Sequence, residues 1–207
     1  MNTATKKLLV LLLFSMSSIT VAQTSPTSEY TSLLKNQDAV WVPTNYSDKQ
    51  LNEPGMVCIR FNNYWCIKSP MGQPTYWNGQ ESQDSRGHAQ FSHPKYAARA
   101  FVKLMHTYYF KHNLRSANDT MNRYAPATDT IGSMAGGKPN PTGAYASQIA
   151  NELGKQADED LQLFINKGTI NRDKMVALLI VLAKWEITAK HRVTEELAID
   201  GISLAGF

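Results

Sequence analysis

A helix that is apolar on nearly every side is predicted by residues 171–186, which read NRDKMVALLIVLAKWE. Asn171 suits the N-terminal cap, because its side chain can accept a hydrogen bond from the first backbone N–H groups of a helix. A helix with so little polar surface lies in the middle of a core. The apolar run 175–183 is too short to cross a bilayer, which takes about 20 apolar residues. We therefore predict a mainly α-helical domain assembled around this helix.

Apolar residues at helical spacing predict four more helices upstream of it. The strongest has Ser92 as its cap and Pro94 in its first turn, where a missing N–H costs little. Its apolar face is formed by Ala97, Ala100, Phe101, Leu104, Met105 and Tyr108. The others are predicted over residues 117–124, from Thr142 to a C-cap at Gly154, and over residues 158–165 with Gly168 as the stop.

A small hairpin is predicted before these helices. The segments 56–60 and 64–68 are both β-prone, and Asn62 and Asn63 between them favour a turn. A hairpin centred on Asn62 would place Cys58 opposite Cys66, within reach of a disulfide. The rival interpretation, a zinc site, would need histidines at ligand spacing that the sequence lacks. The predicted fold class is therefore mainly α, with a small disulfide-stapled β-hairpin.

The first 22 residues have the layout of a secretory signal peptide. Lys6 and Lys7 precede the apolar run 8–14, and small residues lead to a cleavage site after Ala22. A membrane anchor would need a much longer run. We predict a periplasmic or secreted protein with no stable membrane span after cleavage, and in that compartment an even pair of cysteines is most simply a disulfide.

Length and charge limit what the rest of the chain can be. Residues 23–52 are rich in Ser, Thr and Asn and are interpreted as a polar lead-in, and residues 53–207 as one domain. The whole chain has 21 basic and 17 acidic residues, and the signal removes two of the basic ones. No cluster of Lys or Arg stands out, so nucleic acid is not an expected partner.

No cofactor or metal ion is expected. Phosphate-binding loops and dinucleotide fingerprints are absent from the sequence. His88, His106 and His112 could suggest a base or a metal site, but His106 and His112 are six residues apart, which fits neither spacing that would place two ligands on one helix face.

Six short motifs occur in a fixed order between residues 61 and 190. They are Asn62-Asn63 with Ile67-Lys68, Trp77-Asn78-Gly79-Gln80, Arg86-Gly87-His88-Ala89-Gln90-Phe91, Thr120 with Arg123-Tyr124-Ala125-Pro126, the segment 145–154, and Trp185-Glu186. In this order they resemble a lysozyme-like domain family of phage virion and prophage-encoded cell-wall proteins. The resemblance implies a lysozyme-like α+β fold and cell-wall glycan as the ligand.

The opening motif departs from that family. The family has Asn-Asn-Pro-Gly-Asn-Ile-Arg, whereas this chain has Tyr64-Trp65-Cys66 in place of Pro-Gly-Asn and Lys68 in place of Arg. Lysine lacks the planar fork with which arginine holds a carboxylate or a sugar. The family's Asn-Gly after the acidic residue is Ile187-Thr188 here. We expect the opening turn to be rebuilt around the disulfide.

Glu186 is the candidate catalytic acid. Glycoside cleavage needs a carboxylic acid that stays protonated in an apolar setting, together with a second carboxylate or an activated water. Glu186 follows an apolar helix beside Trp185, and burial there would raise its pKa. The alternative is a solvated glutamate paired with Lys190 one helical turn away. Asp84 and Asp129 are candidate second carboxylates, or simply turn residues.

The candidate glycan contacts come from the matching motifs and from an aromatic pair in the polar segment 69–87, which is predicted to be a long ordered loop. The aromatic pair could stack against sugar rings, or could pack the loop against the domain. The candidates are Asn62, Asn63, Lys68, Tyr76, Trp77, Gln80, Arg86 and Tyr124.

Three hypotheses follow. The first is an exported enzyme that cleaves peptidoglycan glycan strands, as a lysozyme or a lytic transglycosylase. The second is a catalytically inactive relative that binds cell wall, or acts as an inhibitor or immunity protein against a cell-wall-degrading toxin. The third is a structural component of a secretion system or phage-derived assembly. The expected partners are accordingly peptidoglycan, a cognate toxin or a secretion-system protein.

Overall fold

The computed structural model describes residues 30–35, 38–43, 56–129, 138–187 and 193–207. The predicted signal peptide and most of the predicted lead-in lie outside these ranges. Three two-stranded antiparallel sheets accompany six helices in the described part of the chain. The strands are β1 (Tyr30–Lys35), β2 (Asp38–Pro43), β3 (Gln80–Gln83), β4 (Ala89–Phe91), β5 (Phe164–Asn166) and β6 (Thr169–Ile170). The helices are α1 (Val57–Arg60), α2 (Pro94–Lys111), α3 (Ala117–Tyr124), α4 (Thr142–Glu152), α5 (Arg172–Glu186) and α6 (Glu195–Leu204).

Helix α5 occupies the middle of the core, as predicted. The side chain of Asn171 accepts a hydrogen bond from the backbone N–H of Lys174 and so caps the helix. The helix contacts α2, α4 and α6, which together cover most of its circumference. Its buried residues are Met175, Leu178, Leu179, Val181, Leu182 and Ala183. The opposite side is only partly covered, since Val176, Ala177 and Ile180 are half-buried and line a second pocket.

Helices α2, α3 and α4 also follow the predicted apolar spacing. Helix α3 has the predicted bounds, and α4 ends just before Gly154, whose φ of 64° is the left-handed conformation of a C-cap. The predicted cap of α2 is wrong by one residue. His93 accepts the hydrogen bond from the N–H of Lys95, while the hydroxyl of Ser92 is turned to the carbonyl of Gly79.

The disulfide Cys58–Cys66 is present, with the two Cα atoms 5.3 Å apart, but the predicted hairpin around it is not. Residues 57–60 form the single helical turn α1 instead of a strand. The reason is the buried side chain of Asn63, which accepts a hydrogen bond from the N–H of Ile67 and donates to the carbonyls of Ile67 and Ala89. These bonds attach the second segment to the β4 side of the molecule, so it does not pair with residues 56–60.

The helix predicted over residues 158–165 is wrong as well. Leu161 and Leu163 are completely buried, whereas Gln162 between them is exposed and has a φ of 54°. A φ of 54° at Gln162 is incompatible with an α-helix, and residues 161–163 belong to neither a helix nor a strand. The segment leads into β5, which pairs with β6 across the turn that contains Gly168. Helix α6, which the sequence analysis did not predict, follows α5 and packs along α2.

Gly201 allows the close approach of α6 to α2. A Cβ atom at this position would lie 2.3 Å from the Cβ of Ala98 and 3.0 Å from its carbonyl carbon. We expect Gly201→Ala to lower the free energy of unfolding by about 2 kcal/mol, since overpacking outweighs the gain of about 1 kcal/mol in helix propensity. Gly143→Ala in α4 is the matched control, because no atom lies within 4 Å of its added Cβ. Urea unfolding should show that control to be unchanged or more stable; a stabilised Gly201→Ala would contradict the packing.

A disulfide within one chain, such as Cys58–Cys66, is typical of proteins from oxidising compartments. Among the helices of the described ranges, none combines the length and apolar content that crossing a bilayer requires.

Candidate active site

A cleft of about 300 Å³ opens where four parts of the chain meet. The C-terminal end of α5, the C-terminal end of α3 with the turn after it, the middle of α2, and the segment 66–68 beside residue 88 form its walls. Its polar and titratable lining includes Lys68, His88, Tyr108, Arg123, Asp129 and Glu186. Concave sites of this size that combine apolar walls with a few converging polar groups are the usual form of small-ligand and substrate sites.

Glu186 is the buried acid of this cleft. It is the last residue of α5 and keeps a small exposed surface on the cleft. Burial raises the pKa of its carboxyl to about 8, although the positive charge of Lys68 opposes the change. Loss of solvation disfavours the charged form of any carboxyl, so Glu186 is largely protonated at neutral pH.

Two tyrosines lie close to the acid, and a third lines the same cleft. Burial raises the pKa of both Tyr124 and Tyr145, and the charge of an ionised Glu186 would raise each further. The ring of Tyr145 packs against Trp185 with centroids 4.4 Å apart. Burial also raises the pKa of Tyr108, which lines the cleft and is hydrogen-bonded to Arg123. Neutral phenols on several sides exclude water from the carboxyl without supplying a countercharge.

The disulfide segment positions the end of α5. The indole N–H of Trp65 donates to the carbonyl oxygen of Leu179 over 2.9 Å, and the hydroxyl of Tyr124 donates to the backbone oxygen of Trp65. The next residue, Cys66, lines the cleft, and its sulfur lies 3.9 Å from the backbone oxygen of Glu186. The residues that replace Pro-Gly-Asn of the resembled motif therefore lie directly beside the candidate acid.

Asp129 also lines the cleft, but its carboxylate forms an ion pair with a lysine. The ammonium of Lys68 lies 2.9 Å from its carboxylate, and both side chains are about a third or more exposed. A pair this exposed adds little to stability. Its effect is local, because it holds the Lys68 charge between the two carboxyl groups of the cleft.

Asp84 lies outside the cleft and acts on a residue inside it. One of its oxygens accepts the backbone N–H groups of Arg86 and His88, and the other lies 2.9 Å from Nδ1 of His88. Burial raises the pKa of Asp84, but the hydrogen bonds from His88 outweigh it, and the pKa lies below its usual value. The sequence suggested His88 as a possible base or metal ligand but did not pair it with Asp84; the signal for that pair was the Asp-x-x-x-His spacing at a Gly-containing turn.

The other candidate contacts divide into three groups. Asn62, Asn63 and Gln80 are buried. Their side-chain amides donate hydrogen bonds to backbone carbonyls or to Ser69, and none of the three residues lines the cleft. Lys68 and Tyr124 line the cleft. Arg86 is exposed and does not line the cleft.

The aromatic pair of the 69–87 segment lies next to the cleft edge. The indole N–H of Trp77 donates to the backbone oxygen of Lys68 over 3.1 Å, and the ring of Tyr76 stands nearly perpendicular to it. Trp77 packs on the core, whereas Tyr76 is 54% exposed. Packing and ligand stacking are therefore divided between the two rings: Trp77 anchors the segment and Tyr76 is available to a ligand.

The chain matches no protein-family model and no curated protein. Within the described ranges, no group of three or more His, Cys, Asp or Glu side chains is placed to hold a metal ion. The resemblance to lysozyme-like domains therefore stays a prediction, and the function is argued from the cleft alone.

Proposed function

We propose that this protein is an exported enzyme that cleaves the glycan strands of peptidoglycan, with Glu186 as the general acid. The observation that carries the proposal is a carboxyl with a pKa of about 8 in a cleft of substrate size. Such an acid is protonated near pH 7 and can donate its proton to the glycosidic oxygen as the bond breaks. Few structural roles require a buried acid in an open cleft, and perturbed carboxyls cluster at functional sites.

The surrounding residues suit this chemistry. After proton transfer, the Glu186 carboxylate would be stabilised by the nearby Lys68 charge, so the product state is not left with an isolated buried anion. Asp129 supplies a second carboxylate on the cleft. Tyr76, which is exposed and packs against Trp77, supplies a ring on which a sugar could stack. The disulfide fits a protein that acts outside the cytoplasm, where peptidoglycan is found.

One observation favours the second candidate function, an inactive relative that binds cell wall or blocks a cell-wall-degrading toxin. Asp129, the second carboxylate of the cleft, is engaged in an ion pair with Lys68 and is therefore less available for catalysis. A protein that had lost catalysis could keep the same cleft as a binding surface.

A muropeptide digest tests the proposal. The oxidised chain 23–207 is incubated with purified peptidoglycan, and the released products are identified by mass spectrometry. We expect disaccharide-peptides to be released by the natural chain and to be lost in Glu186→Gln, because the amide cannot donate the required proton. Their reducing ends separate hydrolysis from transglycosylation.

Glu81→Gln is the matched control, since Glu81 is exposed on β3 and does not line the cleft. It should release products at the natural rate. If the folded, oxidised natural chain releases nothing, the enzyme proposal fails. Sedimentation of the chain with intact peptidoglycan would then support the binding alternative.

A further inference from the structure

His88 is the most deeply buried titratable side chain on the cleft whose role is still unexplained. Its side chain is only 2% exposed, yet the residue is part of the cleft lining together with Glu186. A buried polar ring usually has both nitrogens satisfied by the protein. Here only Nδ1 is bonded, at 2.9 Å from Asp84, and none of the hydrogen bonds between described residues uses Nε2.

The ring orientation is set from two directions. Asp84 is held by the backbone N–H groups of Arg86 and His88, so its carboxylate cannot swing away from the ring. The backbone of His88 is itself bridged to Lys68, and the carbonyl of Ile67 accepts the N–H of the neighbouring Ala89. A carboxylate on Nδ1 favours the tautomer that carries its proton there, which leaves Nε2 as the proton acceptor of the ring.

We propose that His88 is the base that activates the attacking water in the reaction of this cleft, with Asp84 as its positioning residue. The inference rests on the proposed glycan cleavage at Glu186 and adds the second proton-transfer group. Asp129 is less suited to this role, because it is already bound to the Lys68 ammonium at 2.9 Å.

The proton balance of the step is complete. Glu186 gives its proton to the glycosidic oxygen, the C1–O bond breaks, and the leaving sugar departs with a hydroxyl. Water bonds to C1 and loses a proton to Nε2 of His88, and the resulting imidazolium is stabilised by the Asp84 carboxylate. Solvent then carries that proton back to the Glu186 carboxylate, so one water is consumed for each bond cleaved and no other reactant is needed.

Steady-state kinetics on soluble peptidoglycan fragments test the role. His88→Gln should lower kcat about 100-fold or more with KM little changed, which is the usual range for losing a general base. His88→Ala should be equally slow, and added imidazole should restore about 10-fold of the loss by entering the vacated space. Asp84→Asn should lower kcat about 10-fold without rescue by imidazole, since its ring is still in place. His112→Gln is the control, because His112 is exposed and does not line the cleft.

The outcomes separate this inference from the function on which it rests. If Glu186→Gln is inactive while a folded His88→Gln keeps its natural kcat, the role of His88 is overturned and the proposed function stands. Products lacking a reducing end would also overturn it, because no water would then be consumed. If the His88 variants fail to fold, the kcat of Asp84→Asn decides the question. A kcat equal to that of the natural chain would overturn the role of His88 as the base. An inactive natural chain overturns both proposals.

Discussion

Glu186→Gln is expected to remove the cleavage activity and to make the protein more stable at pH 8 by about 3 kcal/mol. A carboxyl with a pKa near 8 in the folded state and 4.5 as its reference value is protonated in the fold over a range where the unfolded chain has ionised. Each tenfold difference in acidity corresponds to about 1.4 kcal/mol. Since the residue keeps some surface on the cleft, we expect less than the full amount.

The pH dependence identifies the cause. Below about pH 4 both states are protonated, and Glu186→Gln should match the natural chain. Between pH 4.5 and 8 the natural chain loses stability as pH rises, because only its unfolded state releases the proton; the glutamine variant does not. Urea unfolding at several pH values measures this difference, with the exposed Glu81→Gln as a control that should change stability little at any pH. A stability difference independent of pH would mean that the carboxyl is ionised in the fold.

Trp65→Ala is expected to lower the free energy of unfolding by about 3–5 kcal/mol. The ring is completely buried and packs against Tyr64 and Phe101. Its indole N–H holds the carbonyl of Leu179, so the truncation removes both a large apolar volume and the contact that joins the disulfide segment to α5.

Two comparisons separate these contributions. Trp65→Phe retains an aromatic ring and loses the hydrogen bond. It should therefore lower the free energy of unfolding less than Trp65→Ala does, and the difference measures the contribution of ring packing. Tyr76→Ala removes a ring that is 54% exposed and should cost under about 1 kcal/mol. Chemical denaturation of the oxidised proteins provides the values. A Trp65→Ala protein as stable as Tyr76→Ala would show that the indole is not part of the core.

Helices α2 to α5 were predictable because their positions depend on local periodicity, whereas α1 and α6 were not predicted. Helix α3 has a cap at Ser116, and the helix stops before Pro126; both signals lie within a few residues of the ends they set. The apolar pattern of α5 predicted its central position for the same reason. The disulfide was also predictable, since two cysteines eight residues apart are near each other in almost any compact geometry.

The same reasoning failed where a distant partner overrode local preference. The β-prone segment 56–60 became helical because Asn63 bonds to β4, 26 residues away. Residues 158–165 did not form a helix, because the N–H of Leu161 donates to the backbone oxygen of Arg115 and the N–H of Leu163 donates to the hydroxyl oxygen of Tyr109. No pattern within either segment contains those partners, so local propensity could not predict the outcome.

The candidate site shows the same division. Glu186 could be proposed from its position after an apolar helix, because burial of α5 follows from its own composition. The cleft could not, since it joins Lys68, His88 and Asp129 from three separate parts of the chain. Whether Asp84 faces a ligand or a histidine depends on a turn geometry that the sequence only suggests. Residue types and periodicity therefore specified the helices, the disulfide and the acid, whereas contacts between distant segments selected the partners of that acid, because proton transfer depends on distances that only packing sets.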